Sequence, residues 1–175
     1  MTFRRAVKSD ASSLAALSIE VWLGTYLRQG VSAVFADYVL AEYTAERMEN
    51  LIGDEKEHII VSENTDGIDG YIRATSGNVA PVEGCSTTEI STFYVQPRHH
   101  GRGLGTGLLT QLLNHCSEKG VASVWLTTNS ENTPAIDFYL ARGFLRVGQT
   151  GFQIGDQAYP NDVFSFSLDD LGQRT

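Results

Sequence analysis

A glycine-rich stretch near the middle of the chain contains the residue types that bind phosphate. Residues 93–109 read FYVQPRHHGRGLGTGLL, in which an apolar strand end is followed by a basic patch and by glycines at alternate positions. The first backbone N–H groups of a helix are unpaired and carry a partial positive charge, so they attract phosphate. Glycine lets a ligand approach the backbone, and the basic patch adds cations. A diphosphate is therefore the ligand that this stretch would suit best.

The spacing of the glycines indicates which classes of phosphate-containing ligand the loop could bind. The run does not fit the G-x-G-x-x-G pattern of dinucleotide-binding proteins, because Thr106 and Leu108 break it. It also lacks the Gly-Lys-Ser/Thr ending of a nucleoside-triphosphate loop. Both kinds of nucleotide binding are therefore disfavoured. The alternative that the glycines only allow a turn or close helix packing stays open at this point.

The histidines and cysteines indicate less chemistry. His99 and His100 are adjacent and have no partner ligands at metal-binding spacing, so no metal is expected. Cys116 falls on the apolar stripe of a predicted helix, and Cys85 falls in a predicted loop. Because there are only two cysteines and no CxxC motif, we expect reduced thiols rather than a disulfide.

Strands and helices of a mixed sheet are predicted to position the glycine-rich stretch. A 3.6-residue apolar period from Leu104 to Cys116 predicts a helix directly after the glycines. On the strand before them, alternation places Glu89 on the same face as Phe93 and Val95. The element order predicts an α+β fold with about seven strands and about four helices. In chain order we predict a strand at 2–7, a helix capped by Ser9 or Asp10 and ending near Gly24, a helix over about 32–51, a hairpin of strands 58–63 and 70–76, a strand at 88–95, the helix from about 102 to Lys119, a strand at 121–128, a short helix from Pro134, and strands at 144–149 and 163–168.

Composition predicts one globular domain over residues 1–175. The chain is 42% hydrophobic and 19% charged, within the range of ordinary globular proteins. A formal charge of −8 disfavours nucleic acid and anionic membranes as partners and favours a cationic one. No apolar run reaches the length of a signal peptide or of a membrane span, so a soluble, cytoplasmic protein is expected.

Two motifs in order resemble those of the GCN5-related N-acetyltransferases, the GNAT family. VQPRHHGRGLGTGLL is similar to the acyl-CoA loop of that family, Val-x-x-x-x-Gln/Arg-x-x-Gly-x-Gly/Ala, except that His100 stands where Gln or Arg is usual. Downstream, NTPAIDFY (132–139) followed by GF (143–144) resembles its second signature. The resemblance implies the GNAT fold, with a mixed, mostly antiparallel central sheet flanked by helices. It also implies an acetyl-CoA-dependent N-acetyltransferase that transfers the acetyl group directly within a ternary complex.

The resemblance implies which residues contact the cofactor. Backbone groups of the strand end are expected to pair with the pantetheine amides, and the loop amides are expected to bind the pyrophosphate. Asn132 is expected to contact the pantetheine arm, with capping of the following helix as its alternative. The residues expected to bind acetyl-CoA are Phe93, Tyr94, Val95, His100, Gly101, Arg102, Gly103, Leu104, Gly105, Thr106 and Asn132.

Two residues are implied to be catalytic. Tyr139 is similar to the family tyrosine beside the CoA sulfur and is expected to protonate the leaving thiolate, with simple packing as the alternative. Glu89 matches the position of the glutamate in histone-type members and is expected to accept the proton of the amine. A structural carboxylate is the alternative for Glu89.

The acceptor is expected to lie near the first helix. Glu20, Trp22 and Tyr26 would form an aromatic, acidic groove suited to a cation, although the same residues also suit an ordinary core. LSIEVWLGTY and the C-terminal stretch from GFLRVGQ onward are similar to bacterial spermine/spermidine acetyltransferases, which implies a polyamine acceptor. Peptide or protein amines, and a non-catalytic acyl-CoA sensor, are the alternatives. Similar proteins are often dimers, so a homodimer is a further expectation.

Overall fold

A computed structural model describes residues 1–27, 29–154 and 156–169. Its strands form one mixed sheet, and helices occupy the connections, which confirms the predicted α+β fold. Within the described residues the strands are β1 Thr2–Arg5, β2 Glu57–Asn64, β3 Gly67–Ser76, β4 Thr88–Val95, β5 Ser123–Asn129, β6 Leu145–Ile154 and β7 Gln157–Ser167. The α-helices are α1 Ala11–Tyr26, α2 Ala33–Glu42, α3 Ala45–Gly53, α4 Leu104–Glu118 and α5 Thr133–Leu140.

The sheet has the strand order β1-β2-β3-β4-β5-β7-β6. β4 and β5 are parallel, and the pairs β1–β2, β5–β7 and β6–β7 are antiparallel. The chain forms two compact units, which are described separately below. The first comprises Met1–Ala74 and Thr92–Leu112, and the second comprises Thr75–Ser91 and the described residues from Leu113 onward.

The first unit has an apolar core between α1, α3 and the strands β2 and β3. Apolar side chains recur on the inner face of α1, and Met48 is the buried residue of α3. The Tyr71 hydroxyl lies 2.6 Å from the Ser18 hydroxyl, so this buried polar pair is satisfied. The core residues are Ala6, Ala11, Leu14, Ala15, Leu17, Met48, Ile59, Val61 and Tyr71.

The second unit is built around the antiparallel strands β5, β7 and β6. β5 pairs with β7 from Ser123 opposite Ser167 to Asn129 opposite Asn161. β7 continues its pairing with β6 as far as Ile154 opposite Gln157. Buried aromatic and aliphatic side chains fill this unit, among them Val124, Leu126, Ile136, Phe144, Val163, Phe164 and Phe166.

The predicted single helix over 32–51 is wrong, because the chain forms two helices there. Tyr43 leaves the helical conformation at φ −106° and ψ 74°, and Thr44 then caps α3 by accepting a hydrogen bond from the Arg47 N–H at 3.2 Å. The cap predicted for α1 also differs. Asp10 makes no side-chain cap bond to α1, because its carboxylate pairs with Arg4 at 2.7 Å.

The last two strands are longer than predicted, and they form a continuous ladder. β7 begins at Gln157 rather than at 163, and Pro160 lies within it opposite Gly151. Proline lacks an N–H donor and is disfavoured inside strands, so the sequence pattern predicted a later start. α1 ends at Tyr26, close to its predicted end near Gly24.

The thiols and the helices of the described residues show two further features. Cys85 and Cys116 are both free thiols, as expected, and burial raises the pKa of the Cys116 thiol to about 11. Cys116 is therefore protonated at neutral pH and a poor nucleophile. Among the described residues, the helices lack the length and apolar character needed to cross a membrane.

Candidate active site

The glycine loop between β4 and α4 contains two glycines in the left-handed backbone conformation. A short 3₁₀ turn, Pro97–His99, follows β4, and α4 begins at Leu104. Gly101 has φ 74° and Gly103 has φ 83°, values that side-chain-bearing residues rarely adopt. At either position, no atom outside the glycine and its two chain neighbours lies within 4 Å of the place that a Cβ would occupy. The backbone is therefore open where the helix begins.

Gly107 has a different role from the two loop glycines. A Cβ at position 107 would lie 2.1 Å from the Phe3 ring, so this glycine allows α4 to approach β1 closely. The packing alternative considered for the glycine run therefore applies to Gly107. At Gly101 and Gly103 the backbone conformation, rather than packing, requires glycine.

The side chains around the loop differ in exposure. Arg102 and Thr106 are exposed, Gly105 is half-buried, and Leu104 is buried as part of the core. His100 Nε2 donates a hydrogen bond to the Val95 carbonyl at 3.0 Å. The residue that replaces the usual Gln or Arg of the motif thus ties the loop back to the end of β4.

The end of β4 combines half-buried side chains with core contacts. The Tyr94 hydroxyl lies 3.1 Å from the Tyr43 hydroxyl, and its ring packs edge-on against Tyr71. Burial raises the pKa of Tyr94 well above its usual value. The Tyr94 side chain therefore belongs to the core of the first unit, so a cofactor contact at this position would come from the backbone. Phe93 and Val95 are half-buried.

In the second unit, Tyr139 is buried among aromatic rings. Its side chain is 7% exposed, and its ring centroid lies 5.5 Å from that of Phe144 and 5.9 Å from that of Phe164. Burial raises the pKa of the Tyr139 hydroxyl above its usual value. The hydroxyl is therefore protonated at neutral pH, which is the state that a proton donor needs.

Asn132 caps α5. Its Oδ1 accepts a hydrogen bond from the Ala135 N–H at 3.4 Å, and its own N–H donates to the Asn129 carbonyl at 2.9 Å. The capping role that the sequence left as an alternative is thus present. The cap uses Oδ1, so it does not prevent the side-chain amide nitrogen of Asn132 from contacting a ligand.

Glu89 lies on β4 opposite Trp125 of β5 in the parallel register. The Glu89 side chain is half-buried, and Asn78 Nδ2 donates a hydrogen bond to Glu89 Oε2 at 2.6 Å. The contact fixes the orientation of this carboxylate. It is compatible both with a base and with a structural charge.

Comparison with known proteins decides the family. The model of the Acetyltransferase (GNAT) family matches residues 23–144, which is more than half of the chain. The chain belongs to the GNAT family. It is 28% identical over 158 residues to L-methionine sulfoximine/L-methionine sulfone acetyltransferase of Salmonella typhimurium, covering 89% of this chain and 88% of that protein.

Solved structures have the same fold. PaiA N-acetyltransferase from Thermoplasma acidophilum in complex with coenzyme A matches with a TM-score of 0.76 at 16% identity, covering 95% of this chain and 98% of that one. YncA from Salmonella typhimurium with its cofactor acetyl-CoA matches with a TM-score of 0.67 at 25% identity, covering 97% and 94%. The GNAT fold predicted from the motifs is confirmed. The protein is an acyltransferase of the GNAT N-acetyltransferase family.

The residues predicted to contact the acceptor are engaged inside the first unit of this GNAT protein. Trp22 is 2% exposed and stacks on Tyr38 with a centroid distance of 5.0 Å, so the core alternative applies to it. Both Glu20 carboxylate oxygens accept hydrogen bonds, from Gln96 Nε2 at 2.7 Å and from Arg98 at 2.8 Å. Tyr26 is half-buried against Trp22.

A buried carboxylate that the sequence analysis missed supports the connection between β5 and α5. The Asp162 side chain is 2% exposed and lies 2.9 Å from Arg146. It also accepts hydrogen bonds from Gln149 at 2.9 Å and from Ser130 at 3.1 Å. Ser130 precedes Asn132 by two residues, so Asp162 ties this GNAT motif to the β6–β7 hairpin. The one signal in the sequence is an acidic residue directly before the apolar run VFSF.

The described residues contain no group of three or more His, Cys, Asp and Glu side chains placed to hold a metal ion. His99 and His100 belong to the turn and loop of the acyl-CoA motif. His100 is occupied by the hydrogen bond to Val95.

Proposed function

We propose that this protein transfers the acetyl group of acetyl-CoA to the primary amine of a small, amino-acid-like molecule. The observation that carries the proposal is the open backbone at Gly101 and Gly103 directly before α4. A helix N-terminus preceded by an accessible, glycine-rich backbone is suited to bind phosphate. The family match includes residues of both compact units. We therefore also propose that residues 1–175 act as one catalytic domain.

We assign a set of residues to each part of acetyl-CoA. The loop amides from Gly101 to Thr106 would hold the pyrophosphate, with Arg102 as an exposed cation beside it. Backbone groups of 93–95 would pair with the pantetheine amides, and Asn132 would contact the same arm. Acetyl-CoA supplies an acetyl thioester that the acceptor amine attacks.

Two side chains are assigned to proton transfer. Tyr139 would donate the proton that the departing thiolate takes up, and burial keeps that proton on the hydroxyl beforehand. Glu89 would accept the proton of the amine, directly or through water. The bond from Asn78 orients the Glu89 carboxylate for this role.

The acceptor proposal follows from the relative and from the first helix. The Salmonella relative is named for two methionine derivatives, both amino acids. Glu20 is bonded to Gln96 and Arg98 and Trp22 is buried, which argues against the acidic groove expected for a polyamine. A polyamine such as spermidine is the second candidate, and the net charge of −8 favours it.

Thiol release from acetyl-CoA by the purified protein tests the function. The amines to compare are L-methionine sulfone, L-methionine sulfoximine, other L-amino acids, spermidine, spermine and an unacetylated peptide. Saturable turnover with the amino acids well above the rest supports the proposal, whereas highest turnover with spermidine or spermine replaces the acceptor by a polyamine. Acetyl-CoA binding without turnover on any amine would instead support a non-catalytic sensor.

A further inference from the structure

The Glu20 carboxylate connects the first helix to the turn that leads into the acyl-CoA loop. Glu20 lies in α1, Gln96 directly follows β4, and Arg98 lies in the 3₁₀ turn after it. Gln96 Nε2 donates to Glu20 Oε2 at 2.7 Å, and Arg98 donates to Glu20 Oε1 at 2.8 Å. These bonds hold the pKa of Glu20 below its usual value, and the bond from Gln96 contributes most to this shift. All three residues belong to the first compact unit.

The same turn is restrained at further points. The Gln96 N–H donates to the Asp69 carbonyl at 3.0 Å, and His100 Nε2 donates to the Val95 carbonyl at 3.0 Å. Alternate residues 96, 98 and 100 are thus each bonded, immediately before Gly101. The restraint ends where the glycines begin.

The glycines make this restraint matter for binding. Glycine has the largest backbone freedom, so a loop containing Gly101 and Gly103 loses much entropy when it is fixed around a ligand. A turn that already directs the chain into the loop reduces the part of this loss that occurs on binding. Bonds to a charged carboxylate are of the stronger class, and two of them act on this turn.

The geometry points to Glu20 as a positioning residue for the acyl-CoA loop, and not as a ligand of the acceptor. An acceptor cation that paired with Glu20 would have to share its carboxylate with Gln96 and Arg98. The inference rests on the proposed function, because it assumes that the loop binds acetyl-CoA. It reassigns Glu20 from the acceptor to the donor side of the reaction.

Glu20→Gln separates the two assignments. The neutral amide loses the charge and cannot accept from both partners through two oxygens. We expect the Kd and the KM for acetyl-CoA to rise about fivefold, while kcat and the KM for the acceptor change by less than about twofold. Titration calorimetry with acetyl-CoA gives the Kd, and steady-state kinetics with each substrate varied gives the rest.

Glu63→Gln is the matched control. Glu63 also pairs with an arginine, Arg4, at 2.9 Å, and its side chain is 39% exposed compared with 36% for Glu20. Its substitution should leave both Kd and KM for acetyl-CoA unchanged. An equal rise in the two variants would show a general charge effect and overturn the assignment.

A double substitution tests whether the effect of Glu20→Gln on the Kd comes from the bonds of Glu20 to the turn or from a general loss of stability. Gln96→Ala removes one of the two Glu20 bonds, so its effect on the acetyl-CoA Kd should not add fully to that of Glu20→Gln. Full additivity, an unchanged or lower Kd in Glu20→Gln, or a rise confined to the acceptor KM would each overturn the proposal. Failure of the wild-type protein to bind acetyl-CoA would instead remove the proposed function on which the inference rests.

Discussion

The glycine loop of the first unit and the surroundings of Tyr139 in the second are constructed in opposite ways. In the loop, the groups proposed to bind acetyl-CoA are backbone amides, and the exposed residues Gly101 and Gly103 set the conformation of the chain there. Around Tyr139 they are buried side chains, and the rings of Phe144 and Phe164 pack against the Tyr139 ring. In the same unit, Asp162 holds the connection to α5.

This difference predicts which substitutions change ligand affinity and which change the free energy of unfolding. A substitution in an exposed loop removes few side-chain contacts, so it can alter ligand affinity while the free energy of unfolding falls only modestly. A substitution among buried partners removes contacts that also hold the fold together, so stability changes first. Matched substitutions in the two regions sharpen this contrast or break it.

The largest effect is expected at Asp162. Asp162→Ala removes a buried carboxylate that three side chains contact, Arg146, Gln149 and Ser130. We expect the free energy of unfolding in urea to fall by about 3 kcal/mol. Glu42→Ala, which breaks the exposed pair with Arg47 at 2.9 Å, should change it by less than about 0.5 kcal/mol. Similar losses in both variants would contradict the importance of burial.

Removing the Tyr139 hydroxyl should affect turnover rather than binding. Tyr139→Phe keeps the ring in its aromatic surroundings but removes the proton donor, so kcat should fall roughly tenfold or more. The acetyl-CoA Kd should stay within about twofold of the wild-type value. Tyr71→Phe, which removes a buried hydroxyl bonded to Ser18, is the control and should retain its turnover. An unchanged kcat in Tyr139→Phe would eliminate the acid role.

A methyl group at Gly103 should weaken cofactor binding and strain the loop. At φ 83° an alanine costs about 1 kcal/mol of stability, and the altered backbone should raise the acetyl-CoA Kd about fivefold. Gly84→Ala provides the comparison, because Gly84 has φ 85° and similarly open surroundings. It should show the same loss of stability with an unchanged Kd. Equal Kd values for the two variants would mean that the loop conformation does not matter for binding.

The smallest effect is expected at Gly107, where packing and conformation can be separated. The Cβ of Gly107→Ala would lie 2.1 Å from the far end of the Phe3 side chain, and Phe3 is only half-buried, so its ring can move. The free energy of unfolding should fall by about 1 kcal/mol. Adding Phe3→Leu should recover part of this loss in the same urea titration. No recovery would show that the helix backbone, and not the ring, is the obstacle.

Elements with strong local periodicity could be predicted from the sequence. The strand at 88–95 and the helix after the glycines follow from alternation and from the 3.6-residue period, which are properties of neighbouring residues. The break between α2 and α3 was missed because apolar residues continue across it, although Thr44 is a helix-capping residue. The early part of β7 was missed because proline is disfavoured inside strands, and Pro160 lies there. Pairing with β6 stabilises this part of the strand.

The site was predictable where it depends on local motif and not where it depends on folding. The order of the two motifs was enough to predict the glycines and Tyr139 as candidate site residues. The bonds of Glu20 could not, because Gln96 and Arg98 follow it by 76 and 78 residues. The burial of Trp22 and the bond from Ser130 to Asp162, 32 residues away, likewise arise only from tertiary packing.

The break between α2 and α3 at Tyr43 and Thr44 has a consequence for the tryptophan fluorescence of the protein. α2 has ten residues and is too short to persist alone, and separate capping of α3 lets α2 open without it. Phe35 and Tyr38 of α2 cover the Trp22 indole, whereas Trp125 lies buried in β5. A brief opening of α2 would therefore expose Trp22 to water while Trp125 stays buried, so the fluorescence of Trp22 would shift before the fold as a whole unfolds.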